Sequence, residues 1–185
     1  MRRVVLFILL AVLSTGVVAQ TRAERKAARK AKKEAKFKDD QKRIDTLMQM
    51  VESKQFVLEA TTLYDKRGAV FQIGNTLNFV RFDVDESTIQ LAFNHIVGWN
   101  GVGGITLDGK IGKMEIKRSK KHASFTINAT VVNKGRGGLV TMIFSVSHNS
   151  RARVDMSGSF GSRLSFEGYL VPLSESNVYK GMTNY

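Results

Sequence analysis

The sequence predicts an all-β domain, a small closed antiparallel barrel of about nine strands behind an N-terminal helical segment. Three observations predict it. From Ser53 and Lys54 onward apolar and polar residues alternate with the period of a strand. The alternating runs are short and separated by polar or glycine-rich turns. No convincing helical spacing recurs after Val51. Sequential hairpins without a long crossing connection give an up-and-down order, which closes most simply as a barrel.

In chain order, residues 21–36 are almost all Ala, Lys, Arg and Glu, which are strong helix formers. Ala23, Ala27, Ala31 and Ala35 recur every four residues, but alanine buries too little surface to dock, so this reads as a solvated, fraying helix. Past Asp39 and Asp40, the spacing of Ile44, Leu47, Met48 and Val51 gives a helix with one apolar face that should rest on the folded domain. Strands follow at 56–60, 69–73, 77–84 and 88–95, with Ile89, Leu91 and Phe93 on one face of the last. Next come 105–111 and 114–118, as a pair or one bent strand with Gly109 and Gly112 as bulge positions. Residues 122–132, 139–147, 151–157 and 163–171 complete the series, and Pro172 stops it.

Met1, Arg2 and Arg3 followed by an apolar run at 4–13 and small or aliphatic residues before Gln20 read as a cleaved secretory signal peptide. The domain plan is then 1–19 signal peptide, 20–53 basic helical tail and 54–185 barrel. There is no cysteine, so thiol chemistry, thiolate metal sites and lipid attachment at a processed cysteine are excluded. The formal charge is +13. Residues 22–45 hold 11 Lys or Arg against 5 Asp or Glu, whereas residues 46–185 hold 16 against 11. More than half of the excess beyond Arg3 is therefore in the tail. An exported chain rarely meets nucleic acid, so Arg22, Arg25, Lys26, Arg29, Lys30 and Lys33 are the candidate contacts to an anionic membrane or polysaccharide surface, or else belong to a solvated spacer.

Between the strands lies the glycine cluster of residues 94–111. Gly101-Val102-Gly103-Gly104 lacks the Lys-Ser/Thr of a phosphate loop and leads into a strand, so its glycines are expected to serve a turn needing positive φ. His95, His122 and His148 show no metal-ligand spacing. Gly158-Ser159-Phe160-Gly161-Ser162 is not a nucleophile elbow. Glu59 and Glu167 would act as an acid and base pair only if both faced the interior. No catalytic residue, metal ligand or cofactor is expected. Trp99, Phe93, Tyr169 and Tyr179 are the candidate ligand-contacting aromatics, with Tyr179 on a C-terminal segment that folds back over one barrel end.

Phe56-Val57-Leu58-Glu59-Ala60, Leu63-Tyr64-Asp65-Lys66-Arg67-Gly68, Asn100-Gly101-Val102-Gly103-Gly104-Ile105-Thr106 and Gly168-Tyr169-Leu170-Val171-Pro172-Leu173 with Val178-Tyr179-Lys180-Gly181 together form an ordered set. In this the chain resembles domain-of-unknown-function family 4251, a group of exported Bacteroidetes proteins, over roughly residues 50–182. The resemblance implies a lipocalin-like β-barrel of the cell envelope and carries no site residues. The expected function is non-catalytic binding of an apolar or amphipathic small molecule or an envelope component, in the periplasm or outside the cell. The alternative is a protein interaction module with a filled barrel, and a hydrolase is a third reading.

Overall fold

The computed structural model describes residues 22–92, 101–119, 121–135, 138–158 and 163–183. One helix, α1 (Arg22–Glu52), precedes nine strands: β1 (Gln55–Tyr64), β2 (Val70–Gln72), β3 (Phe79–Asp83), β4 (Glu86–Ala92), β5 (Gly104–Arg118), β6 (Ser124–Asn133), β7 (Leu139–Ser147), β8 (Arg151–Gly158) and β9 (Leu164–Pro172). A short 3-10 turn at Leu173–Glu175 follows. The chain divides into two compact units, residues 1–38 and 39–185. The second holds the last turns of α1 and the whole sheet.

Every strand pair is antiparallel, and β9 returns to pair with β1. Eight strands, β1 and β3–β9, thus close in the up-and-down, lipocalin-like order, and closure removes the open edges that a sheet of this length would expose. The extra strand is β2. It takes the edge of β1 at Thr62–Tyr64, past the point where β3 leaves it at Glu59. A register shift between Ala60 and Thr62 marks the change. β5 is one bent strand, and its register shift between Ile111 and Met114 contains Gly112; Gly109 pairs regularly with Ser87 and Asn133.

The alternation seen in the sequence becomes an interior and an outer wall. Along β7, Val140, Met142, Phe144 and Val146 are buried while the residues between them are exposed. In the middle of the barrel Phe56 stacks on Phe82 at 4.7 Å between ring centres, and both meet Phe144 edge-on at 6.1 and 5.8 Å. Such contacts add about 1 kcal/mol each to the burial of the rings. Ile44, Leu47 and Val51 of α1 join the same core. They cover the end from which the β3–β4, β5–β6 and β7–β8 turns leave. Arg118 reaches Asp45 at 2.6 Å and Gln41, and His148 lies 3.5 Å from Asp40, so polar contacts tie the helix to the β5–β6 and β7–β8 turns.

Lys54 and Val84, both at φ 55°, link the junction, with the Val84 amide donating to the Lys54 carbonyl at 3.0 Å. At the other end of the molecule Gly101 and Gly103 have φ of 73° and 80°. The cluster there answers a backbone need, as its lack of a phosphate-loop lysine implied.

Candidate functional site

The outer wall of β8, β9 and β1 carries a dense array of polar and aromatic side chains. The register places it in three rows. Glu59 and Arg151 flank Tyr169, Thr62 and Arg153 flank Glu167, and Tyr64 and Asp155 flank Ser165. All point outward because the residues between them on each strand, among them Leu58, Ala60, Phe166, Ala152 and Val154, belong to the core.

Glu167 is the hub. It accepts from the Tyr64 hydroxyl at 2.9 Å and from Arg151 Nε at 2.7 Å. Burial pushes its carboxyl up, but those two hydrogen bonds and the charges of Arg151 and Arg153 outweigh this and hold it below the usual glutamate range. The same bond, with burial and the carboxylate charge, pushes the Tyr64 phenol up. The Arg153 guanidinium lies 4.4 Å above the Tyr64 ring, in the geometry of a cation–π contact. Ser165 donates to Asp155 at 2.5 Å. Each of these groups is thus engaged by a neighbour in the array. The array offers shaped charge and an aromatic surface.

Tyr169 stands above this network, 51 % exposed between Glu59 and Arg151. Glu59 is itself an outer-wall residue, accepting from Asn75 and Ser176 at 3.1 and 2.8 Å. With Glu59 and Glu167 both outside the barrel, the interior acid and base pair does not exist.

A second polar array lies under the C-terminal segment. Residues 176–183 run along the outer wall past β3 and β4 instead of crossing a barrel end. Two side chains that alternation marks as solvent-facing hold them there. Gln90, fully buried, donates to the carbonyls of Leu77 and Tyr179 and accepts from the Gly181 amide at 2.7 Å and from Thr106 at 2.9 Å. Asp108 accepts from Lys180 at 2.6 Å, Thr183 at 2.5 Å and Thr88 at 2.6 Å. Burial alone would raise Asp108, but these donors overcome it and hold its carboxyl below the ordinary aspartate range. Val57 and Phe79, on the wall beside β4, are buried outside the central core.

Of the candidate aromatics, Tyr169 and Tyr179 lie on separate parts of the outer surface, Tyr179 being held through its backbone with a 62 % exposed side chain. Trp99 and Phe93, like His95, fall outside the described residues. Arg22, Arg25, Lys26, Arg29, Lys30 and Lys33 are exposed on the first half of α1. Among the described residues no group of three His, Asp or Glu is arranged to hold a metal ion. Sequence reasoning missed the Tyr64, Arg151, Arg153 and Asp155 array, whose only advance signal was the pairing of β1 with β9.

A closed up-and-down barrel with a helix over one end and a strapped outer wall defines the class as a lipocalin-like β-barrel protein. The particular family follows from sequence. Residues 38–170 match the family described as a domain of unknown function, DUF4251, and the chain belongs to it. It is similar to a DUF4251 family protein from Bacteroides eggerthii whose crystal structure is known, with 28 % identity and a TM-score of 0.57, covering 73 % of this chain and 91 % of that one. No curated protein matches the chain.

Proposed function

We propose that this protein is a non-catalytic interaction module of the cell envelope, in which a filled barrel displays the outer wall of β8, β9 and β1 to a partner protein. The observation that carries the reading is the interior. Phe56, Phe82 and Phe144 occupy its middle and Ile44, Leu47 and Val51 its end, all but Leu47 at 0 % exposure and Leu47 at 9 %. A vessel for an apolar ligand needs that volume. The wall supports the same reading, because it sets an exposed tyrosine beside a hydrogen-bonded arginine, two residue types enriched at protein interfaces.

Protein isolated from its own envelope and weighed by native mass spectrometry is expected to carry no stoichiometric small molecule. Cross-linked partner recovered with it is expected to fall at least about tenfold in the Tyr169→Ala and Arg151→Ala double variant, the size of an interface hot spot. A tightly held lipophile, or recovery unchanged by the double variant, overturns the proposal and returns the barrel to ligand carriage.

A further inference from the structure

The cations of the tail are not spread evenly around the helix. At 3.6 residues per turn, the six cations named above and Lys32 and Lys36 all fall on one half of α1 between Arg22 and Lys38. Only Lys38 falls on the other half. That opposite half is occupied by Ala23, Ala27, Ala28, Ala31 and Ala35, with Glu24 and Glu34. The stripe from Arg22 to Lys36 is about 21 Å long at 1.5 Å per residue. Every residue from 22 to 38 is exposed. Lys30 lies 3.9 Å from Glu34, at the border of the two halves.

We infer that this basic half of α1 lies flat on an anionic phospholipid bilayer, bound through lipid phosphates at its surface and without insertion. Charge complementarity selects the occupant. A straight, one-sided row of cations matches a plane of phosphates, which presents charge to all of them at once. The alanine half gives no apolar wedge and the basic half carries Phe37 alone, so the helix lacks the large hydrophobic face by which interfacial helices sink into the acyl region. Among the described residues no helix is long and apolar enough to cross a membrane. Phe37 is the one aromatic residue from 22 to 38, which leaves no platform on which successive bases of single-stranded nucleic acid could stack.

The test uses full-length protein, as processed by its host, sedimented with phosphatidylcholine vesicles that contain or lack phosphatidylglycerol. Binding is expected only with the anionic lipid. It should fall steeply with added salt, because the Debye length is already about 10 Å at 0.1 M. Two charge-matched variants test the face. Arg29→Glu with Lys33→Glu removes four units of charge from the basic half; Ala23→Glu, Ala27→Glu, Ala31→Glu and Ala35→Glu together remove four from the other half.

The first variant is expected to lose about 100-fold in partitioning, and the second less than about tenfold because its added charges face away from the bilayer. Equal losses in the two variants overturn the oriented surface. So does binding to pure phosphatidylcholine, or tighter binding to duplex DNA or an acidic polysaccharide at the same ionic strength. The inference does not rest on the barrel's partner, since Tyr169 and Arg151 are untouched in both variants.

Discussion

Gly168 shows how narrowly a single position can constrain this fold. A Cβ placed there would lie 1.9 Å from the Glu59 carbonyl oxygen and 2.9 Å from the Ala60 Cα, on the seam where β9 meets β1. The clash is with backbone, so no side chain can swing aside. Gly168→Ala is expected to cost about 3 kcal/mol, at the upper end for overpacking, read as a lower urea midpoint with an unchanged slope. Gly74→Ala is the control. A Cβ there meets nothing within 4 Å and φ is ordinary, so the variant should match or exceed the parent by up to about 0.5 kcal/mol through the unfolded chain. The sequence did not distinguish the two glycines, because what separates them is a neighbour more than 100 residues away, as the Glu59–Ser176 and Tyr64–Glu167 contacts of the same wall also are.

Among the elements, the strands were legible and the strap was not. In β6, β7 and β8 alternation gave both existence and inward face, since one side of each lies in the core and the other in solvent. Gln90 and Thr88 obey the same alternation and are buried all the same. Their cover comes from a segment with no pattern of its own, held through the backbone of Tyr179 and Gly181 and the side chains of Lys180 and Thr183. The latch carries a pH signature. The folded-state carboxyl of Asp108 titrates below its unfolded value, so its stabilisation is fully present above the unfolded pKa and is lost as pH falls through the folded one. Amide exchange at Tyr179 and Gly181 is therefore expected to speed up relative to the β7 core as the solution is taken below the ordinary aspartate range, after correction for intrinsic rates. Asp108→Asn should remove that differential change. Persistence of it in Asp108→Asn would place the titrating group elsewhere.

At the scale of the molecule, residues 1–38 and residues 39–185 are separate compact units. Removing residues 1–38 is expected to leave the thermal midpoint of the barrel within about 2 °C, the shift from a few tenths of a kcal/mol in a domain this size. Extending the deletion through Glu52 removes Ile44, Leu47 and Val51 from the core, at about 2 kcal/mol for each side chain. The composition of the tail made the first half of α1 legible as solvated. The apolar spacing of its second half announced a docking face, though not that the face would cover a barrel end.

The pairing of β9 with β1 also has a consequence in time. Tyr64 and Glu167, 103 positions apart, cannot meet until nearly the entire chain has emerged, and contacts of such separation make folding slow. Throughout that interval the first and last strands of the growing meander each keep a bare edge, the geometry most prone to pairing with a neighbouring chain. An early ring is impossible for this topology. Unfinished copies are therefore expected to pair with one another, and their crowding should limit the yield of folded protein before stability does.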